Sequence, residues 1–388
     1  MNAKTFRNTA FHLHRWLGLV GGTLLCIAGL TGAVLVFWHE IDDWVLTQRF
    51  GQVIPGGERV AMVFDRPEVI ATVADTVKSA YASKGLTLSS ISLPNQANHL
   101  YQVWLHAPAD HHWQVFVNPF TGLIMGDREW ESSWVGMIYE LHYNLLAGDT
   151  GTLIMGIVAL LTLLLSITGI VLWPGWRKLI AGFKIKWKNA HIKRTNFDIH
   201  KVAGITTAIF LVFIGFTGFA WNVPQAKVTE AIHAATFTPK PADSVSQPIA
   251  GQQPLPFAEL IQRADAAVPA ATTTYVSFPE KLEDPFRMGK RQAQEANKWG
   301  NTQVSLDQFT GKVIQVQDGL KPTRAEAILN QFGPLHFGTF WGISSRILYV
   351  FVGLAPTVLM VTGVVMWWHR RRVKKAQPAV KVAVKAKQ

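Results

Sequence analysis

A single cysteine, Cys26, stands in 388 residues. That leaves no intrachain disulfide, no C-x-x-C-H site for a c-type haem, and too few thiolates for a Cys-ligated iron–sulfur cluster. Charge is scarce as well, at 16% of residues. Asp and Glu are missing from four long apolar runs, 16–38, 152–173, 202–223 and 343–368, so a carboxylate relay of the kind transporters use has no group inside them. No G-x-G-x-x-G fingerprint occurs, and a pyridine-nucleotide or flavin donor would therefore belong to another protein.

What is abundant is apolar: 49% hydrophobic residues, with 15 Trp and 22 Phe. Each of the four runs is long enough to cross a bilayer, which takes about 20 mainly apolar residues. The first is too long for the apolar core of a signal peptide and no A-x-A site follows it, so it reads as a retained helix. The expected order is a cytoplasmic N-terminus (1–15), span one (16–38), an external α+β module (39–151) and span two (152–173). A basic cytoplasmic loop (174–201), span three (202–223), a second external module (224–342), span four (343–368) and a basic cytoplasmic tail (369–388) follow. Orientation rests on basic residues. Segment 174–201 holds eight Lys and Arg against one acid, Asp198, and the tail holds eight and no acid. Segment 39–151 holds six basic and thirteen acidic residues. Both termini are expected in the cytoplasm. The net charge of +12 is then a matter of topology, and no nucleic-acid partner is implied.

The chain repeats itself. "FHLHRWLGL" at 11–19 returns as "FDIHKVAGI" at 197–205, and "GLTG" at 29–32 as "GFTG" at 215–218. "LH" at 141–142 matches "LH" at 335–336, and "TG" at 168–169 matches "TG" at 362–363. "QVFVNPFTGLI" at 114–124 aligns with "QVSLDQFTGKV" at 303–313. The expected fold class is therefore an integral membrane α-helical protein with four transmembrane helices and two α+β external modules, in tandem parallel duplication. In the first module the pattern predicts a helix over 67–83, strands at 100–106 and 113–118 joined by the "APADHH" turn, and a further extended stretch after "NPFTG". In the second it predicts a helix over 256–267 and strands flanking "DQFTG". Residues 238–256 read as a Pro-rich linker and 373–388 as a disordered basic tail.

With these residues in view, the small α+β module with a "D-P-x-T-G" turn resembles a PepSY domain. The helices carrying "LHRWLGL…TG" and "LH…TG" resemble the PepSY-associated transmembrane helix family, over about 11–370. The second turn departs from the pattern, with Gln308 where Pro is usual. The resemblance implies a multi-pass protein of the bacterial inner membrane, with large loops in the periplasm, acting in iron uptake. Some members are haem-containing reductases of iron–siderophore chelates, of the ferrioxamine reductase type. It thus implies an Fe(III)-siderophore of the hydroxamate type as partner.

Of 13 histidines, the repeat singles out four. His14 and His200 each lie 17 residues before a Thr-Gly; His142 and His336 each lie 26 before theirs. On the expected topology the first two share the cytoplasmic face and the last two the external face. Paired imidazoles from different helices suit a haem b iron at each face, two in all. Arg15 and Lys201 are candidate partners for the propionates of the inner haem. His369 is an alternative inner ligand. His12, opposite Asp198 in the repeat, reads as surface; His39 has no repeat counterpart; His111 and His112 lie in a strand turn, where metal binding is conceivable. Trp130, Trp134 and Trp341 are candidates to line a chelate site near the outer pair.

The function these features suggest is a transmembrane ferric-chelate reductase, an oxidoreductase fed by a cytoplasmic or quinol donor. Two rivals stand beside it. One is a non-enzymatic membrane anchor whose PepSY-like modules bind a peptide or protein. The other is a subunit of an iron or siderophore transporter.

Overall fold

The computed structural model describes residues 2–51, 65–94, 99–108, 111–187, 192–222 and 225–385. Val223, the last residue of the third expected span, and the tip of the "APADHH" turn lie outside the described residues. In chain order the helices are α1 (Ala3–Leu35), α2 (Trp38–Phe50), α3 (Pro67–Tyr81), α4 (Trp134–Asn144), α5 (Gly148–Leu172) and α6 (Leu179–Phe183). They continue with α7 (Ile192–Asn222), α8 (Gln225–Ala235), α9 (Phe257–Ala267), α10 (Arg324–Leu329), α11 (Phe332–Phe337) and α12 (Gly342–Lys385). The strands are β1 (Thr87–Ser92), β2 (Tyr101–Ala107), β3 (His111–Val117), β4 (Ile124–Glu129), β5 (Thr272–Ser277), β6 (Phe286–Arg291), β7 (Thr302–Leu306) and β8 (Val313–Gln317).

Two units share these elements: 1–38, 138–229 and 331–388 in the first, 39–137 and 230–330 in the second. The first is built on α1, α5, α7 and α12, each of which includes a stretch long and apolar enough to cross a membrane. The chain is a multi-pass membrane protein. Its long helices are more extensive than the apolar runs alone predict. Residues 3–15 contain no Gly or Pro and the Asn2 side chain caps them, accepting from Lys4 N at 2.8 Å, so α1 begins at Ala3. α7 likewise begins at Ile192, and α12 continues through Lys385 where an unstructured tail was expected. Each long helix packs on two others, α1 on α5 and α12, and α7 on the same two. The α1–α12 crossing is close: a Cβ on Gly29 would lie 2.4 Å from the Gly353 carbonyl oxygen, so only hydrogen fits there. The Arg346 guanidinium donates to the Val36 carbonyl at 2.6 Å and lies over Phe37, which ties off the C-terminus of α1.

In the second unit the two stretches expected as separate modules form one sheet. Its order is β4-β3-β2-β1-β5-β6-β7-β8, antiparallel throughout. The seam is β1 against β5, with Ile91 opposite Val276. Helices α3 and α9 lie side by side and share one core with the sheet, where Ile70, Val77, Leu260 and Ile261 meet Val103, Val115, Met288 and Val304. Pro67 opens α3 as expected. The turns "NPFTG" and "DQFTG" have the same construction. Asn118 Oδ1 accepts from the backbone of residues 120 and 121, and Asp307 Oδ1 from that of 309 and 310. Gln308 does not loosen the second turn. Its side-chain amide donates to the carbonyls of Lys281, Leu282 and Asp284 and binds the neighbouring loop.

Candidate functional site

The first unit brings four histidines together as two facing pairs. His14 on α1 meets His200 on α7 with ring centres 6.3 Å apart and planes at 87°. His142 on α4 meets His336 on α11 at 6.4 Å and 71°. These are the pairings that the repeat predicts. Along α1, His14 is separated from Thr31, the partner of His142, by 17 residues, about 25 Å of helix. The pairs therefore lie well apart along the bundle.

Every ring is held by a Thr-Gly step. His14 Nδ1 lies 2.9 Å from Thr168 Oγ1, and His142 Nδ1 lies 3.0 Å from Thr31 Oγ1. His200 and His336 stand at 2.8 Å from Thr362 and Thr217. Each hydroxyl has one proton, and it goes one turn back along its own helix. Thr31 donates to Ile27 O (2.7 Å), Thr168 to Leu164 O (2.7 Å), Thr217 to Phe213 O (2.8 Å) and Thr362 to Val358 O (2.6 Å). The hydroxyl can then only accept from the imidazole, which places a ring proton on Nδ1; in the neutral ring this leaves the lone pair on Nε2. The glycine of each step makes room for the ring edge. A Cβ there would stand 3.1 Å from the Cε1 of His142 at Gly32, 3.3 Å from that of His336 at Gly218, 3.4 Å from that of His14 at Gly169 and 3.7 Å from that of His200 at Gly363.

The pattern is reciprocal. Within the first half of the chain, α1 supplies His14 and Thr31, which engage Thr168 on α5 and His142 just before it. The second half does the same with α7 and α12. The sequence shows the His and Thr-Gly elements but not that they address one another. Their fixed separations of 17 and 26 residues mark them as one repeated set, and the cross-pairing is seen only in the fold.

Around His14 and His200 lies a cavity of about 1480 Å³. Its walls are apolar, with Gly18, Gly22 and Gly204 among them, and its described lining holds six Lys and Arg and no Asp or Glu: Lys4, Arg7, Arg15, Arg177, Lys201 and Arg370. Arg15 lies over Phe11 and Trp16 and donates to His12 Nδ1 at 3.3 Å, while its Nε is buried without a partner. Lys201 behaves otherwise than expected. Its ammonium donates to Asp198 Oδ1 at 2.7 Å and to Ala181 O at 2.9 Å. Asp198 is fully buried, and also accepts from Arg194 and from Lys186 N. Three residues apart on one helix face, acid and base neutralise each other, so Lys201 is not the free cation that its repeat position suggested. His369 is absent from the described lining of the cavity, and the ring facing His200 is His14.

The second pair is carried by the short helices that precede α5 and α12, with its rings against Thr31 of α1 and Thr217 of α7, and the chain breaks within "LLAGDTG" and "FGTFWG". α4 ends before Leu145 and Leu146, both left-handed at φ 56° and 57°, and α11 ends at Gly338 at φ 71°. Consecutive leucines in that region are costly for side-chain-bearing residues. Leu145 is turned inward against the α1–α5 core formed by Leu25, Met155 and Val158, which holds the bend. Trp221 packs on His336 at 5.0 Å between ring centres. Burial lowers the pKa of His142, and burial together with the charge of His142 lowers that of His336 to about 3. Both rings are thus neutral at pH 7, as a metal-ligating imidazole must be.

The remaining candidates fall elsewhere. His12 is exposed, as expected. The His39 ring lies beside Trp299. Trp130 is buried in the sheet unit against Trp104 and is part of its packing, whereas Trp341 is 74% exposed. His111 and His112 each pair with a glutamate, Glu129 and Glu131.

A family model described as the PepSY-associated TM region matches residues 11–370. No match was found among curated proteins.

Proposed function

This chain belongs to the family of PepSY-associated TM regions, and from that premise we propose that it is a di-haem b reductase of the bacterial inner membrane that reduces Fe(III) chelates. The observation that carries the reading is the spacing of the paired rings. Two imidazoles ligating one ion from opposite sides, each nitrogen about 2 Å from the metal, set their ring centres about 6 Å apart; the pairs stand at 6.3 and 6.4 Å. The rest of the donor set agrees. All four Nε2 atoms are left with lone pairs by the threonines, and the glycines keep the helices from crowding the rings. The cavity at His14 and His200 is apolar in its walls and basic in its polar lining, which suits a flat amphipathic group with two carboxylates. Arg15, with a buried Nε to satisfy, is the first candidate to hold a propionate. Arg177 and Arg370 are further cations of that lining. Bound at both pairs, haem would supply one-electron centres towards the two ends of the bundle.

The orientation that fits places the basic segment 174–201 and both termini in the cytoplasm and the sheet unit in the periplasm. A cytoplasmic or quinol donor would feed the His14–His200 end. An Fe(III)-siderophore, of the hydroxamate type in the related reductases, would be reduced at the other, where Fe(II) is held less tightly by hard oxygen donors. The symmetric Thr-Gly pairings and the strand order of the sheet suit a tandem parallel duplication. A mere anchor for a peptide-binding module has no need of oriented imidazoles in pairs, and a transporter would lack carboxylates inside its spans.

The test is the absorption spectrum of the detergent-purified protein, produced with ample haem. A reducible b-type spectrum with two haems per chain is expected, and one haem fewer in each of His14→Ala and His142→Ala. A colourless protein would end the reading. Anaerobic reoxidation of the reduced protein by a panel of ferric chelates would then identify the substrate.

A further inference from the structure

Strand β3 begins at His111 and β4 ends at Glu129. In the register that sets Trp113 opposite Glu129, the backbone of residue 130 still bonds to His112, so Glu131 comes opposite His111. One face at this end of the sheet therefore collects His111, Glu129 and Glu131, whose ligand atoms all lie within 4.8 Å of one another. We propose that these three residues form a binding site for one divalent first-row transition-metal cation.

Two independent features point to a cation. The first is orientation. Glu129 accepts from His111 Nδ1 and from Ser132 Oγ, both at 2.6 Å. Glu131 accepts from His112 Nδ1 at 2.8 Å and from His112 N at 3.1 Å. Outside the three ligands, Ser132 fixes Glu129 and His112 fixes Glu131, as outer donors do for metal-ligating carboxylates. The second is the want of a fixed cation. Among the described residues the ion-pair partners of these two carboxylates are imidazoles, with no Lys or Arg among them. The arginines that share a recess with Glu129 are engaged elsewhere. Arg128 makes a two-pronged bond to Asp42 and a third to Gln114, and Arg49 donates to the Asp127 carbonyl. One nitrogen and two carboxylates at a partly exposed position suit Zn(II), Fe(II), Co(II) or Mn(II), with water completing the shell. Metal binding would replace the proton between His111 and Glu129 and join the ends of β3 and β4. His112 is a positioning residue for Glu131.

Co(II) is the probe, because its visible absorption reports nitrogen and oxygen ligation. The chelator-stripped full chain in detergent is titrated with Co(II), followed by Zn(II). One saturable Co(II) per chain, displaced by Zn(II), is expected. His111→Gln and Glu129→Gln should each weaken it by at least about tenfold, with the melting of the protein little changed because both side chains are partly exposed. His14→Ala should leave this binding as it is, which separates it from metal taken up by the paired imidazoles. Unchanged affinity in both His111→Gln and Glu129→Gln, or binding that never saturates, would overturn the site.

Discussion

A threonine that has already given its proton to its own helix is an obligate acceptor, and four such threonines face four imidazoles here. Thr→Val at any of positions 31, 168, 217 or 362 keeps the shape and removes the acceptor. The Nδ1–H then has no partner, and nothing selects the tautomer with a free Nε2. Loss of an outer-shell partner of this type weakens ligation by about 10- to 100-fold. Thr168→Val should lower haem retention at the His14 pair alone, read as the haem-to-protein ratio after detergent exchange, and Thr168→Ser should restore it. Equal retention in Thr168→Val and wild type would remove the hydroxyl from the account. The glycines give a graded test. A methyl at Gly32 would stand 3.1 Å from the His142 ring and one at Gly363 3.7 Å from the His200 ring. Gly32→Ala should therefore displace its ring and Gly363→Ala should be tolerated, with haem content as the measure. At this scale the sequence is partly legible. The histidine pairs can be read because the repeat copies them, and the threonines stand in the same copied motifs. The state of Lys201 cannot be read from the repeat. Its counterpart is Arg15, which makes no ion pair among the described residues, whereas Lys201 has Asp198 one turn back on its own helix, and that local pairing decides its role. Asp198→Asn would leave the Lys201 ammonium buried and unpaired, at a cost of about 3–5 kcal/mol. A strongly lowered melting temperature is the expected result.

Among the elements, the edges of the sheet are easier to read than its seam. β2 and β3 alternate large apolar and polar residues and stand out. β1 ("TLSSIS") and β5 ("TTTYVS") are short and rich in Ser and Thr, with Ile91 and Val276 their only fully buried apolar residues. Nothing local shows that they pair with each other and turn two expected modules into one sheet; that pairing spans almost 200 residues of chain and is settled by the shared core. The Asp307 turn, by contrast, is local and legible. Burial alone would raise the pKa of its carboxyl, but hydrogen bonds from Gln247 N, Thr310 N, Thr310 Oγ1 and Phe309 N outweigh that and hold it below the usual range. With the folded value below the unfolded one of about 3.9, the stabilisation is fully present above pH 4. It is lost as pH falls through the folded value. The melting temperature of the wild type should fall more steeply from pH 5 to pH 3 than that of Asp307→Asn, and parallel curves would show that the carboxylate contributes nothing.

For the molecule as a whole, the two ends of the bundle differ in what they offer. At the His14–His200 end a large cavity has basic residues and no described acid in its lining. At the His142–His336 end the rings are carried by short helices and reach Thr31 and Thr217 of the long ones, beside left-handed turns and Trp221. If the chain is the reductase proposed above, an electron supplied on one side should reach a ferric chelate on the other only when both pairs are intact, because about 25 Å of apolar helix separates them. Chelate reduction on the far side alone needs only the His142–His336 pair. Vesicles containing the protein, loaded with a reductant and exposed to an external Fe(III)-hydroxamate, distinguish these cases. Oriented wild type should form Fe(II) outside, read with an external Fe(II) chromophore. His14→Ala and His142→Ala should both abolish that signal. In detergent, after chemical reduction, His14→Ala should still pass electrons to the chelate and His142→Ala should not. If instead His142→Ala reduces the chelate as fast as wild type in detergent, the electron leaves from the other pair, and the assignment of donor and acceptor ends must be reversed.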